Sequence, residues 1–421
     1  MLPQRVIFSL LTFFFALQVG ATKILVPMDK EQTNHLKSYG ITFWVLEKKV
    51  EIDWLLNYRG GSFAFPHNSE IEKECLIRGV KFDIVPEAKY NIIKKEIASP
   101  EANMDLMKLE KVPKVAVYSP KGKQPWDDAV TLVLTYAEIP YDIVYDDEVL
   151  DNKLPEYDWL HLHHEDFTGQ YGKFYRMYHK QKWYQDQVAG FEESAKKHGF
   201  EKVSELKLAI AHRIRDFVAG GGFLFAMCSA TDSYDIALAA ENVDICSNQF
   251  DNDPADPNAQ QKLDFSKTFA FHNFQLEMNP YVYEYSDIDV TRTRPKSIEP
   301  TDFFTLFEFS AKWDPIPTML TQNHTRTLKG FMGQTTAFKK STIKPTVLIM
   351  GENKSLGEAK YIHSTYGYGF WTFYGGHDPA DYQHFVGDPP TDLNLHPNSP
   401  EYRLILNNIL FPAAKEKKRK T

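Results

Sequence analysis

Cys228 sits between an apolar run and a helical pattern, a place where a side chain can do chemistry. Gly220-Gly221-Gly222 precede Phe223-Leu224-Phe225-Ala226-Met227, and Cys228-Ser229-Ala230-Thr231-Asp232 lead into a helical pattern to about Ala240. An apolar run bounded by glycines reads as a buried strand. A sharp strand-to-helix turn exposes its central side chain and aims backbone N–H groups and the helix dipole at it. That setting favours a thiolate nucleophile. The competing reading of Cys228 is a small buried hydrophobe.

A thiol nucleophile needs a base that takes its proton and returns it, and neutral imidazole does both. Phe370-Trp371-Thr372-Phe373-Tyr374 reads as a strand that passes through Gly375-Gly376 and delivers His377 at its end, with Asp378 and Asp381 close by as orienters. Cys228 and His377 are therefore the expected catalytic pair. A turn histidine held by backbone hydrogen bonds is the alternative for His377. His161-Leu162-His163-His164-Glu165-Asp166 follows another strand-like run, and loop 164–172 contains Gly169 and Gly172. Its N–H groups are candidate oxyanion donors. Alternation in a strand sends His161 and His163 to one side and His164 to the other. With His377 or His384, the first two would make a three-ligand zinc site, a variant of the hydrolase reading in which zinc is the only cofactor considered. From Thr168 to Lys182, with Trp183 next to it, aromatic residues (Tyr171, Phe174, Tyr175, Tyr178) interleave with Lys173, Arg176, His179, Lys180 and Lys182. That pattern suits either a carboxylate-bearing or sugar-like ligand, or an amphipathic lid.

The elements that must position these residues alternate. Strands are expected at 115–118, 141–145, 157–163, 223–227, 345–350, 359–363 and 369–374, with helices at 126–136, 204–219 and 400–410. Such alternation implies an α/β parallel sheet with right-handed crossovers, which binds ligands at the carboxyl ends of its strands. His161, His163 and Cys228 all fall at such ends. Residues 22–105 form a small N-terminal α/β domain. Its Asp53, Arg59 and Gly60-Gly61-Ser62 turn either reach a ligand or simply turn the chain. The main domain spans 112–412. An insertion at about 246–344 opens on the acidic, proline-rich Asp251–Pro257 and has strand-like patches at 279–286 and 301–309. No internal repeat is present.

At 421 residues the chain has room for two domains, and its formal charge of −8 argues against a general nucleic-acid binder. Arg5, the apolar stretch Val6–Val19 and Val19-Gly20-Ala21 read as a cleavable signal over 1–21. The expected product is a secreted or periplasmic protein with no stable membrane span, starting near Thr22. Three cysteines in an exported chain leave at least one thiol free, and a Cys75–Cys246 bridge would free Cys228. Residues 413–421 read as a solvated basic tail.

A strand–Cys–helix elbow, a glycine-containing loop after an earlier strand and a His after a later one resemble the class I glutamine amidotransferase-like superfamily, over about 112–245 and 345–412. The resemblance implies a flavodoxin-like sheet with helices on both faces, Cys228 as nucleophile and His377 as base. Pro379 stands where that superfamily has an orienting Glu, and Met227 where it has a Gly. The whole chain also resembles secreted bacterial proteins labelled asparagine synthetase B-like. With Leu2 at position 2 and no Ser-Gly-Gly-x-Asp-Ser loop, that likeness does not imply ATP-dependent synthesis. Two functions follow as expectations: a Cys/His amide or ester hydrolase, or a non-catalytic module on the same scaffold. The partner would be a small molecule, peptide or glycan.

Overall fold

The computed structural model describes residues 22–415 except 123 and 295–298. The expected signal at 1–21 and the tail from 416 onward lie outside the described residues. Two sheets carry the chain. The first contains β1 (Thr22–Val26), β2 (Ile52–Leu56), β3 (Ser62–Pro66), β4 (Asp83–Pro86) and β5 (Asp105–Leu109), antiparallel throughout in the order β4-β1-β3-β2-β5. Alternation along β2 gives the sheet two apolar faces. Ile52, Trp54 and Leu56 enter a large core with the helix His35–Glu47. Leu55 joins Tyr90, Ile93 and Ile97 of the helix Glu87–Ala98. Because β5 pairs with β2, this unit runs on to Leu109 rather than ending at 105. Its Gly60-Gly61 turn is structural. Arg59 pairs with Asp29, Glu31 and Asp83, and Asp53 accepts a 2.6 Å hydrogen bond from Tyr90.

The second sheet contains β6 (Val115–Tyr118), β7 (Asp142–Val144), β8 (Trp159–Leu162), β9 (Phe223–Met227), β10 (Phe303–Leu306), β11 (Thr327–Lys329), β12 (Phe338–Lys339), β13 (Leu348–Asn353), β14 (Glu358–Tyr366) and β15 (Gly369–Tyr374). Its order is β11-β10-β13-β14-β15-β9-β8-β6-β7, with β12 on β14. The chain is thus an α/β protein with a mixed sheet. Only the stretch β7-β6-β8-β9-β15 is parallel, and its chain order 2-1-3-4-5 is one of the common doubly wound arrangements. β13, β14 and β15 are antiparallel to one another, which corrects the expected all-parallel sheet. The parallel strands are apolar on both faces, as burial on both faces requires. Val117, Trp159, Phe225 and Met227 pack with the helices Ala129–Ala137 and Pro400–Leu410. Leu160, Leu162, Leu224 and Ala226 pack with the helices Val203–Ala219 and Ser229–Ala239.

Residues 246–344, expected as an insertion within the main domain, join its sheet. They supply β10, β11 and β12 to the second sheet, while 279–286 keeps only an isolated bridge, Leu276 to Ser286. All three cysteines are free and buried, so the Cys75–Cys246 bridge is absent. Lys415, at the start of the expected solvated tail, is exposed and pairs with Glu110 at 2.7 Å. Among the described residues no helix is long and apolar enough to cross a membrane.

The junction between the two sheets carries a pH prediction. His35 stacks on His324 with ring centroids 4.1 Å apart. Burial and then Arg403 push His35 down to about 4, and burial, His35 and Arg403 push His324 down to about 3. Both folded values lie below the unfolded value of about 6.5. Stability is therefore fully present above that pH and is lost as pH falls toward about 4. For His35 alone the loss is about 3 kcal/mol. Denaturant melts at pH 7 and pH 4.5 are expected to show a smaller drop for His324→Phe than for the parent chain. Equal drops would contradict it.

Candidate functional site

Four parallel strands, β6, β8, β9 and β15, send their following loops to one edge of the sheet. Cys228 follows β9 with φ 53° and ψ −140°, a backbone conformation that strains any residue with a Cβ. It opens the helix Ser229–Ala239, so the expected elbow is present. The elbow also fastens the neighbouring loops. Ala230 N–H donates to His163 O at 2.9 Å, Ser233 Oγ donates to Glu165 O at 2.9 Å, and Thr335 Oγ1 donates to Asp232 Oδ1 at 2.8 Å.

His377 arrives from β15 through Gly375 and Gly376. Gly376 has φ +93°, where Gly is favoured, and a Cβ on Gly333 would sit 2.6 Å from His377 N. The loop around Gly333 can therefore lie directly on the backbone of the Gly-Gly turn. His377 N–H donates to Met332 O at 2.9 Å, but among the described residues neither ring nitrogen has a hydrogen-bond partner although the side chain is buried. Asp378 does not orient it: that carboxylate accepts from Thr391 and Tyr402. Asp381 instead contacts His384 Nδ1 at 3.0 Å.

The strand β8 ends at Leu162, so His163 and His164 lie in a loop and side-chain alternation no longer governs them. Their rings stack with centroids 3.9 Å apart, which corrects the expectation of opposite sides. His377 lies against both, at 5.0 Å from His163 and 4.2 Å from His164, and stacks on His384 at 4.7 Å. His161 stays behind in the sheet, bonded to Phe225 O and Asp128 Oδ2, each at 3.1 Å. The histidines that converge are therefore His163, His164 and His377, not His161, His163 and His377.

Asp127 and Asp128, which sequence reasoning missed, organise this cluster. Asp128 caps the helix Ala129–Ala137, with Oδ1 accepting from Val130 N–H and Thr131 N–H at 2.8 Å. Its Oδ2 lies 3.1 Å from both His161 Nε2 and His163 Nδ1. Burial raises its pKa, but His161 and His163 outweigh that and hold it well below the usual carboxylate range. Asp127 O contacts His164 Nε2 at 3.2 Å, and Asp127 Oδ1 lies 2.8 Å from His384 Nε2. The findable signal was the Asp-Asp pair just ahead of an apolar helix, a helix-start pattern.

Above the cluster opens a cavity of about 220 Å³ bordered by His164, Cys228, His377 and His384. Trp126, Phe174, Tyr178, Tyr283 and Phe385 form aromatic walls, and among the described residues no Asp, Glu, Lys or Arg lines it. The segment after Thr168 thus contributes aromatic side chains to the pocket and none of its basic ones. Lys173 turns away to Glu277 O and Asn279 O. Three N–H groups of loop 164–172, the expected source of oxyanion donors, are already committed within the protein. Thr168 N–H and Gly172 N–H donate to Asp166, and Phe167 N–H to Ser233. The residues that close the pocket, Met332, Gly333 and Gln334, come instead from the 246–344 segment.

Electrostatics separate the two candidate attackers. Burial, then His164 and His163, hold His377 well below the usual imidazole range, and burial with His163 does the same to His164. Both rings are neutral near pH 7 and able to accept a proton or bind a cation. Burial pushes the Cys228 thiol up to about 11, against the opposing pull of the Gln334, Thr335 and Ser229 backbone N–H groups. Cys228 and His377 share the pocket, but no hydrogen bond joins them, since both ring nitrogens of His377 lack one.

No family model matches the chain, and no curated protein does. Among solved structures it is similar to Cytoplasmic Protein STM3548 from Salmonella typhimurium, at 10% identity and TM-score 0.34 over 72% of this chain and 100% of that one. It is similar to Cytoplasmic Protein STM1381 from Salmonella typhimurium LT2 at 12% identity and TM-score 0.33, again over 72% and 100%. It is also similar to Gan42B, a GH42 beta-galactosidase, at 13% identity and TM-score 0.27 over 63% of this chain and 28% of that one.

Proposed function

We propose that the chain is an exported hydrolase that cleaves a small, uncharged amide or ester. The attacking group is a water molecule held against the histidine wall rather than the Cys228 thiol. One observation carries the reading: half-buried His164 and buried His377, both held neutral, border an aromatic cavity that among the described residues has no Asp, Glu, Lys or Arg in its lining. Such a cavity holds an uncharged group by apolar contact and penalises a charged one, which would lose its hydration without finding a partner. Water then attacks the carbonyl carbon and gives up its proton at the wall. The tetrahedral adduct collapses with cleavage of the C–O or C–N bond, and a proton leaves with the alcohol or amine.

A panel of nitrophenyl esters and anilides tests this on the mature chain. Neutral aromatic acyl groups are expected to be cleaved with kcat/KM at least about tenfold above their carboxylate-bearing counterparts. Preference for the charged acyl group overturns the assignment of substrate class. Stabilisation by neutral ligands with no turnover of any substrate overturns hydrolysis and leaves a binding module.

A further inference from the structure

We infer that His163, His164 and His377 form a site for a divalent transition-metal ion, zinc being the best match. One ring nitrogen from each lies within 4.8 Å of the other two. Around a tetrahedral zinc with bonds of about 2.0–2.1 Å, ligand nitrogens stand about 3.3–3.4 Å apart. A modest side-chain adjustment closes the remaining gap.

Orphaned polar atoms point to an ion independently of that spacing. Among the described residues, His163 Nε2 and both ring nitrogens of His377 are buried without a hydrogen-bond partner. Leaving them so is costly, and buried polar atoms without partners are where an ion or ordered water belongs. The surroundings also have the pattern that orients metal-bound imidazoles, in which the non-ligating nitrogen faces a carboxylate or a carbonyl. His163 Nδ1 faces Asp128 Oδ2 at 3.1 Å, which leaves Nε2 for the ion. His164 Nε2 faces Asp127 O at 3.2 Å, which leaves Nδ1. An all-nitrogen set suits zinc or its transition-metal neighbours and not calcium or magnesium, which take oxygen ligands.

His164 and His377 border the cavity, so a fourth position on the ion would face the substrate space, as in catalytic rather than closed structural zinc sites. Asp127 and His384 flank the other side of His377, where Asp127, His377 and His384 also place ligand atoms within 4.8 Å of one another. The ion would activate the water that the hydrolase reading needs, but its binding can be measured with no substrate present.

The test is metal uptake by chelator-stripped, full-length mature protein. Zinc titration by calorimetry is expected to give one ion per chain, and cobalt(II) substitution to give the visible absorption of a tetrahedral nitrogen site. His164→Ala and His377→Gln are expected to abolish both signals while circular dichroism stays unchanged. Asp128→Asn, which keeps the helix cap, is expected to weaken binding by about 10–100-fold. No uptake by folded protein, or uptake indifferent to His377→Gln, overturns the inference. Absence of hydrolysis with uptake intact would sink the hydrolase reading alone.

Discussion

Lys207→Met is expected to destabilise the folded chain by about 3–5 kcal/mol, the range for removing one partner of a buried ion pair. Lys207 lies on the helix Val203–Ala219 and is 1% exposed, as is Asp146. Its ammonium donates to Asp146 Oδ1 at 3.2 Å, Tyr118 OH at 2.9 Å and Tyr145 OH at 3.2 Å, and lies 3.8 Å from Glu165. Burial raises the Asp146 pKa, but Lys207 and hydrogen bonds from Tyr118 and Ser194 bring it below the ordinary value. Methionine matches the apolar stem and removes the charge, so Asp146 and Glu165 are left buried without a cation. The variant is also expected to lose less stability on acidification, because Asp146 would then take up a proton on folding. Urea denaturation at pH 7 checks the size. A change under about 1 kcal/mol would mean the network is dispensable. Glu165 follows His164 directly, so the variant also loosens the loop that carries the site.

The second large effect separates two chemistries. His377→Ala is expected to lower kcat/KM at least about 100-fold, the lower end of what a positioned imidazole contributes. Cys228→Ala is expected to change it less than about tenfold. At pH 7, a thiol whose pKa is about 11 is ionised in only about one molecule in ten thousand. An imidazole that lacks a hydrogen bond to that thiol does not correct the deficit. The strained backbone at Cys228 is explained here by its position, since the elbow turns β9 into the helix that fastens the loops of His163 and Thr335. Steady-state kinetics of the two variants on one neutral ester measure the difference.

Local patterns made part of this legible. Five apolar residues after three glycines gave the strand Phe223–Met227 with its bounds, because burial on both faces leaves an uninterrupted apolar run. The Gly375-Gly376 turn gave the position of His377. The expected trio of His161, His163 and His377 assumed that β8 reached His163. It stops one residue earlier, and a loop let His164 turn in beside its neighbour. The role of the 246–344 segment was hidden for a different reason. β10, β11 and β12 pair antiparallel within the sheet, and pairing at long sequence separation leaves no local signature. Gln334 reaches Gly172 O at 2.7 Å from such a segment, so the pocket rim could not be read before the sheet was known. The expected helix at 126–136 swallowed Asp128, which in fact caps a helix starting at Ala129, and its second oxygen on His163 leaves no local signature.

Water activated at the histidine wall, and not the thiol, is proposed to attack the substrate. Mass spectrometry of intact protein, acid-quenched within milliseconds of mixing with a good activated ester, tests it most directly. Product release is expected with no acyl adduct on the protein at any time point. An adduct on Cys228 that forms and decays at the turnover rate would contradict it and restore the thiol as the nucleophile.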